Sequence, residues 1–169
     1  GGLGGLGLLT ARLLIVDGAR RIVLSSRSDC VLTGSESEWA WLAASGASVY
    51  RVRCDVSDDS GVRTMADAFY GDGLCFNGIF HAAHALADAT IANQHVLNFR
   101  VSYAPKVHGA AALHAVCLRN QLRTFNVYSS IAGLMGSAGQ SPHSAASSWL
   151  DSATAWRRRG GVPSQSVNW

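Results

Sequence analysis

The chain opens with Gly1-Gly2-Leu3-Gly4-Gly5-Leu6-Gly7, and this stretch sets the expectation for the fold. Read from Gly2 it has the form G-x-G-x-x-G, and an apolar run, 8–16, follows at once. Such a turn opens a helix whose unpaired N–H groups and positive dipole end favour a phosphate. We assign Gly2 to a tight turn, Gly4 to the approach of a pyrophosphate and Gly7 to close packing of the helix on a strand. Because this motif is a weak signal by itself, a flexible glycine-rich terminus is the alternative that the rest of the chain has to decide.

The composition is typical of one globular domain. The chain has 169 residues, of which 48% are hydrophobic and 15% charged, and this is enough apolar material for a sizeable core. A net charge of +3 is too small to indicate a nucleic-acid partner. No apolar run reaches the ~18 residues of a membrane span, so no membrane partner is predicted. Widely spaced cysteines without a C-x-x-C pair predict free thiols in a reducing, cytoplasmic compartment.

Apolar runs and helix-like segments alternate along the chain. Strands separated by helices of about ten or more residues indicate βαβ units and a parallel sheet. We therefore predict a single doubly wound α/β domain over 1–169, with helices on both faces of the sheet. Ser35 is the expected N-cap of the second helix, and an interruption is expected near Pro105. The predicted strands are 21–26, 48–56, 77–83, 124–130 and 164–169, and the predicted helices are 3–19, 36–45, 58–69, 92–118 and 142–159.

Ligands of such sheets bind at the carboxyl ends of the strands. Arg27, after the first strand, is placed to hold the 2′-phosphate that distinguishes NADP from NAD, and an ordinary surface arginine is the alternative. Asp55, with Val56 beside it, follows the second strand; it is placed either to accept a hydrogen bond from an adenine amino group or to act as a turn residue. After the third strand, the small residues Ala82 and Ala83 let a ribose or nicotinamide lie against the backbone.

Two histidines flank these alanines and raise the question of a metal site. His81 and His84 lack a third ligand at a spacing that zinc sites use. We therefore predict no metal, and we expect each histidine to be either packed in the core or exposed at the surface.

The ordered motifs of the chain resemble one known family over its whole length. They resemble the catalytic half of a ketoreductase domain from a modular polyketide synthase, within the short-chain dehydrogenase/reductase superfamily. The resemblance implies a Rossmann-like fold and NADPH-dependent reduction of a β-ketoacyl thioester to a β-hydroxyacyl thioester during polyketide or fatty-acid-like chain synthesis. The motifs are GGLGGLG at 1–7, LSSRS at 24–28, CDVSD at 54–58, GIFHAA at 78–83, DATIANQ at 88–94, PKVHGA at 105–110, SSIAGLMGSAGQ at 129–140 and SVNW at 166–169.

The resemblance also implies the catalytic positions, and here the chain departs from its family. The family reduces its carbonyl with a Ser, Tyr, Lys and Asn set, of which the serine matches Ser130 and the lysine matches Lys106, the only lysine of the chain. The tyrosine position, thirteen residues after Ser130, holds His143, and the asparagine position holds Ser147. The flanking Gly-Gln and Trp-Leu-Asp motifs fix this register.

The change from tyrosine to histidine alters the acid chemistry. Reduction places negative charge on the carbonyl oxygen, which then needs aimed donors and a proton. A tyrosine has a reference pKa of ~10 that a nearby lysine lowers toward working pH, whereas a histidine starts at ~6.5 and the same lysine lowers it further. A neutral His143 donates one hydrogen bond but is a poor acid. We therefore expect ketoreduction by this chain to be weak or absent.

Two other interpretations stay open at this point. One is a catalytically silent cofactor-binding or structural module of a polyketide synthase, which the changes at His143 and Ser147 favour. The other is a different short-chain dehydrogenase with an unusual acid, such as Tyr128. It is disfavoured because Lys106 precedes Ser130, whereas most of the superfamily carries its lysine four residues after the tyrosine.

The family pattern implies neighbours and partners for the chain. It places a strand before Gly1 and a substrate lid after Trp169, so we expect a fragment of a larger synthase with other synthase domains. It also implies an acyl carrier protein, which is acidic and bears the tethered β-ketoacyl substrate. The basic run Arg157–Arg159 is expected either to complement the C-terminal dipole of its helix or to contribute to docking of the carrier.

Overall fold

The strands form two parallel sheets, one in each of two compact units, Gly1–Asp55 and Val56–Trp169. The computed structural model describes residues 1–118 and 122–169. Strands that run parallel and alternate with helices along the chain confirm the predicted α/β class. The assignment of a single domain to 1–169 stays a prediction.

The first unit consists of two strands and two helices. Strand β1 (Arg21–Ser26) pairs in parallel with β2 (Ser48–Arg53) over their full lengths, from Arg21 opposite Ser48 to Ser26 opposite Arg53. Helix α1 (Gly5–Val16) precedes β1 and α2 (Glu36–Ala44) connects the two strands. The apolar faces meet in a core of buried residues: Leu3, Leu8, Ala11, Leu24 and Leu42.

The second unit is built on a parallel sheet with the strand order β3-β4-β5. Phe80 of β3 lies opposite Asn126 of β4, and Val127 of β4 lies opposite Ser166 of β5. A 3-10 turn covers Ile91–Asn93, and Ala104–His108 is π-helical between α4 and α5. The other elements are α3 (Asp59–Gly71), β3 (Gly78–His81), α4 (Val96–Tyr103), α5 (Gly109–Cys117), β4 (Thr124–Tyr128), α6 (Ala132–Met135), α7 (Ser141–Arg159) and β5 (Gln165–Val167).

The N-caps of α2 and α3 differ in how their side chains are used. Asp58 caps α3, because its side chain accepts a hydrogen bond from the Ser60 N–H at 3.1 Å. Ser35 occupies the predicted N-cap position of α2, but its side chain makes no capping hydrogen bond. The Glu36 carboxylate reaches back and accepts a hydrogen bond from the Gly34 N–H at 3.1 Å. Hydrogen bonding to the backbone N–H of Glu36 itself, and then to that of Gly34, lowers the pKa of this carboxyl.

The interruption expected near Pro105 takes the form of a wider helical turn. Proline has no N–H to donate, so the regular i to i−4 bond is lost at that position. The Gly109 N–H instead reaches the carbonyl of Ala104, five residues back, as in a π-helix. The chain therefore continues through Ala104–His108 without a break, and Lys106 lies in the middle of this π segment.

Candidate active site

The glycine stretch forms a tight turn that leads into α1. The Gly2 N–H donates to the Ser25 carbonyl at 2.8 Å, which ties the turn to β1, and the Gly4 N–H donates to the Gly1 carbonyl at 3.1 Å. The helix begins at Gly5, and its first i to i−4 bond runs from Leu8 to Gly4 at 2.9 Å. The N–H groups at the start of α1 therefore have no acceptor within the helix and suit an anion.

Three glycines of this turn have different surroundings. A Cβ at Gly2 would lie 2.9 Å from the Ser25 nitrogen, and a Cβ at Gly7 would lie 2.4 Å from the Gly1 carbonyl oxygen. Gly2 thus permits packing on the strand and Gly7 permits the tight turn, the reverse of the roles that we predicted for them. A Cβ at Gly4 would approach only the Gly1 oxygen, at 3.4 Å, so the backbone there is accessible. This arrangement fits the phosphates of a dinucleotide.

The end of β1 carries the residue expected to select the cofactor. Arg27 is exposed just beyond the strand and has no ion-pair partner among the described residues. The nearby Arg51, by contrast, donates from Nε to the Asp29 carboxylate at 3.1 Å. Asp55 is half-buried beyond β2. Arg27, which the sequence assigns to a 2′-phosphate, thus keeps its charge available to a ligand.

In the second unit, the predicted cofactor residues differ in exposure. Val56 is buried, and a Cβ at Gly109 would lie 2.8 Å from its side chain, so Val56 packs closely on the start of α5. Ala82 and Ala83 are half-buried beyond β3. Their roles in cofactor binding stay predictions. Of the neighbouring histidines, His81 is buried and His84 is exposed, as expected.

Among the described residues of the second unit, Lys106 is the most deeply buried charged residue, with 2% of its surface exposed. The π segment directs its side chain at α7, where Nζ donates to the Ser147 hydroxyl at 2.7 Å. The Ser147 hydroxyl donates in turn to the His143 carbonyl at 2.8 Å. The structure thus brings together three of the four predicted catalytic positions, Lys106, Ser147 and His143.

Burial changes the acid–base properties of this group. Desolvation lowers the pKa of Lys106 to about 8, and the negative charge of Asp151 opposes that change. Partial burial, followed by the charges of Lys106 and His84, lowers the pKa of His143, which Asp88 raises in part. The His143 Nδ1 is buried without a hydrogen-bond partner among the described residues. His143 is therefore mostly neutral at pH 7, as the sequence predicts.

Ser130, the fourth predicted position, follows β4. Its hydroxyl oxygen accepts a hydrogen bond from the Ala132 N–H at 3.2 Å, which leaves the hydroxyl proton available to a ligand. The preceding Ser129 donates to the Ser147 carbonyl at 3.0 Å and thereby holds the end of β4 against α7. A Cβ at Gly133 would lie 3.0 Å from the Ser148 nitrogen, so glycine permits the close approach of α6 to α7.

Two residues near Lys106 were not predicted as part of the site. Asp151 was used in the sequence only to fix the register, although 143, 147 and 151 follow the four-residue spacing of one helix face. The sequence left His81 either packed or exposed; it is buried, and its Nε2 has no hydrogen-bond partner among the described residues. Burial lowers the pKa of His81 to about 4, so it too is neutral at pH 7.

The loop before α4 is fastened to the loop before α7. The Ala89 N–H donates to the Gly139 carbonyl at 2.9 Å, and the Gln140 side chain donates to the Asp88 carboxylate at 2.9 Å. Gln94 donates to the Ala89 carbonyl at 2.9 Å. Asp88 is thereby held within electrostatic range of His143.

The three arginines of the basic run at the end of α7 differ in exposure. Arg157 is buried: its guanidinium lies 4.1 Å from the centre of the Phe125 ring and contacts the His114 ring. Arg158 donates to the Ser164 carbonyl at 3.1 Å, and Arg159 is exposed. Arg157 is therefore not exposed for docking, because its guanidinium packs on the Phe125 ring of β4, whereas all three arginines lie in the last turn of α7, as complementing the helix dipole requires.

Among the described residues, no three His, Cys, Asp or Glu side chains are grouped to hold a metal ion. Within residues 1–118 and 122–169, no helix has the length and apolar character needed to cross a membrane.

Comparison with known proteins identifies the family. The family model of the KR domain matches residues 1–169, and the chain belongs to this ketoreductase family. A phthioceranic/hydroxyphthioceranic acid synthase of Mycobacterium tuberculosis is 40% identical over 170 residues, which cover 100% of this chain and 8% of that protein. A mycocerosic acid synthase-like polyketide synthase of Mycolicibacterium smegmatis is 40% identical over 176 residues, which cover 100% of this chain and 8% of its own length.

Solved structures agree with this assignment. The ketoreductase from the first module of phoslactomycin biosynthesis in Streptomyces superposes with a TM-score of 0.92 at 34% identity, over 100% of this chain and 40% of that one. The first ketoreductase of the tylosin polyketide synthase gives 0.85 at 33% identity, over 100% of this chain and 36% of that one. The predicted Rossmann-like α/β class and the predicted family are thus confirmed.

Proposed function

We propose that this chain belongs to a polyketide synthase and uses NADPH to reduce a β-ketoacyl thioester to a β-hydroxyacyl thioester, with low activity. The observation that carries the proposal is the group formed by Lys106, Ser147 and His143, in which a buried amine lies 2.7 Å from the Ser147 hydroxyl. Membership of the KR domain family supports the reaction. The replaced tyrosine and asparagine positions account for the low activity.

Each residue of the group has a chemical task in this proposal. NADPH, when bound, supplies the hydride that the carbonyl carbon receives. Ser130 donates its hydroxyl proton in a hydrogen bond to the carbonyl oxygen, and the Lys106 cation stabilises the charge that develops there. His143 stands where the family has the tyrosine that protonates this oxygen. A neutral imidazole donates a hydrogen bond from one nitrogen, but it gives up that proton far less readily than an imidazolium does.

The cofactor is held by residues of the first unit in this proposal. The turn at Gly2, Gly4 and Gly7 receives the pyrophosphate at the start of α1, and Arg27 receives the 2′-phosphate. Asp55 is assigned to the adenine, and Ala82 and Ala83 of the second unit to the ribose or nicotinamide.

The substrate is proposed to arrive on an acyl carrier protein, in the company of other synthase domains. The relatives are themselves large synthases, and this chain corresponds to less than a tenth of their length. An acidic carrier suits the net charge of +3 of this chain. Buried Arg157 takes no part in docking, and Arg159 is the exposed arginine left at that helix end.

Restoring the family's residues tests the catalytic proposal. His143→Tyr places a phenol beside Lys106 and is expected to raise NADPH-dependent reduction of a β-ketoacyl thioester, since general acid catalysis contributes roughly 10²–10⁴-fold. His143→Phe is the matched control, because it supplies the ring without the hydroxyl and should give no gain. The wild-type rate is expected to rise as the pH falls below the ordinary histidine range, where the imidazolium becomes populated.

The second restoration concerns Ser147. Ser147→Asn added to His143→Tyr should raise the rate again, in a non-additive way, because the two residues act as a unit. Ser147 is fully buried, so the unfolding temperature of the double variant is measured before its activity. Wild-type reduction that His143→Ala leaves unchanged would contradict the proposal and direct attention to Tyr128.

A catalytically silent cofactor-binding or structural module is the second candidate, favoured by the replacement of two catalytic positions. It predicts no gain from the double restoration in a protein that is folded and binds NADPH.

A further inference from the structure

Three polar residues lie on successive turns of α7, on the side that meets the π segment. His143, Ser147 and Asp151 are spaced four residues apart, which places them along one helix face. The middle one, Ser147, receives the hydrogen bond from the Lys106 Nζ. The last one, Asp151, has both carboxylate oxygens buried and without a hydrogen-bond partner among the described residues. A carboxylate in that position requires an explanation.

A buried carboxylate without hydrogen bonds is costly unless a cation lies close to it. A buried ammonium carries the same cost with the opposite sign, and Lys106 is such a group. Because Ser147 connects to Lys106 and Asp151 lies one helical turn beyond Ser147, the carboxylate and the ammonium are near enough to compensate each other.

The other titratable groups around Lys106 do not supply this compensation. His143 on α7 and His81 on β3 both have pKa values lowered by burial, and both act on Lys106 as neutral rings at pH 7. Among the described residues, Asp151 is the negative charge that raises the pKa of Lys106 against the effect of burial.

We propose that Asp151 is a positioning residue of the active site, which keeps Lys106 charged and directed at Ser147. It acts through Lys106 and does not touch the substrate. The inference rests on the proposed function, since a charged Lys106 matters only where charge develops on a carbonyl oxygen. The experiment that tests the role of Asp151 measures the protonation of Lys106 and does not require catalysis. The role of Asp151 and the proposed reduction can therefore fail independently of each other.

The single lysine of the chain makes that measurement direct. Lysine labelled with ¹³C at Cε gives one side-chain NMR signal from Lys106, whose shift is followed from pH 5 to pH 11. In Asp151→Asn, the apparent pKa of Lys106 is expected to fall by about one pH unit or more, because an opposite charge within reach shifts a pKa by ~1–3. Asp151→Glu keeps the charge and should titrate close to wild type. Asp67→Asn, at an exposed position of α3, is the control and should leave the signal unchanged.

The outcomes separate an electrostatic role from a packing role. An unchanged Lys106 titration in folded Asp151→Asn overturns the proposal, as does a fall of the same size in Asp151→Glu. Asp151→Ser provides a second neutral variant if Asp151→Asn does not fold. Loss of folding in both neutral variants, with Asp151→Glu folded, supports a requirement for charge. Loss of folding in all three overturns the proposal in favour of packing alone.

Discussion

His81 is a buried histidine at the end of β3, and its Nε2 has no hydrogen-bond partner among the described residues. Burial lowers its pKa from 6.5 to about 4, so the unfolded chain binds a proton between these values that the folded chain does not. The unfolded state therefore gains stability relative to the folded state when its histidine is protonated. The free energy of unfolding is unaffected by this at pH 7 and decreases as the pH falls from 6.5 through 4. At ~1.4 kcal/mol per pKa unit, the loss amounts to roughly 3 kcal/mol.

A urea titration at pH 7 and at pH 4 tests this linkage. In His81→Asn, the difference in the free energy of unfolding between the two pH values should be smaller than in wild type by roughly that amount. His108→Asn is the control, since His108 is exposed and should leave the pH dependence unchanged. An equal acid sensitivity in His81→Asn and wild type would show that other groups dominate.

The resemblance to the family names candidate catalytic positions, which stay predictions, but it does not give their contacts. The structure brings three of these positions, Lys106, His143 and Ser147, together. The bond from Lys106 to Ser147 and the buried carboxylate of Asp151 depend on how α7 packs against the π segment. That packing is a tertiary property, and no local pattern in the sequence reports it.

At the scale of elements, the glycines of the first turn differ in whether a side chain would fit, so their packing role and their proposed ligand-binding role can be tested separately. A Cβ at Gly7 would lie 2.4 Å from the Gly1 carbonyl oxygen, whereas a Cβ at Gly4 meets only that oxygen, at 3.4 Å. Gly7→Ala is expected to destabilise the protein by about 1–3 kcal/mol, as overpacking does. Gly4→Ala should fold normally and bind NADPH more weakly, because its methyl group occupies the approach to the first amides of α1.

The matched control for both variants is Gly5→Ala. A Cβ there would meet only the Ser35 hydroxyl, at 3.9 Å, so neither stability nor binding should change much. Thermal unfolding and the fluorescence of bound NADPH give the two readouts. Equal NADPH affinity in Gly4→Ala and wild type would contradict the assignment of this turn to the pyrophosphate.

Element order was predictable because parallel βαβ units have strong periodic signals, whereas element ends and special turns were not. The strand predicted at 48–56 ends at Arg53, and the strand predicted at 124–130 ends at Tyr128. A strand ends where its backbone hydrogen bonds to the neighbouring strand end, and that neighbouring strand is far away in the sequence. The π segment arises from Pro105 within a helix that packing keeps continuous, so the sequence predicts an interruption but not its form.

At the scale of the whole chain, the proposed function depends on residues that are far apart in the sequence. The glycine turn and Arg27, proposed to bind the cofactor, belong to the first unit, and Lys106, Ser130, His143 and Ser147, proposed to act in reduction, belong to the second. The two sets correspond to cofactor binding and to reduction in the proposed function. A protein that keeps the proposed cofactor-binding residues but lacks part of the proposed catalytic set is therefore expected to bind NADPH, whether or not it reduces a substrate.

Ligand-linked stability of the whole chain measures that binding without any need for catalysis. A ligand that binds only the folded state stabilises it by RT ln(1 + [L]/Kd), which is about 2.7 kcal/mol at a hundredfold excess over Kd. NADPH should therefore raise the unfolding temperature more than NADH does at the same concentration, because Arg27 pairs with the 2′-phosphate. In Arg27→Ala, the NADPH effect should fall to that of NADH, while the NADH effect stays as in wild type. Arg63→Ala, which removes an exposed arginine of α3 that pairs with Asp59, is the control and should keep the preference. Equal stabilisation by the two cofactors in wild type, or none by either, would contradict the assignment of NADPH to this chain.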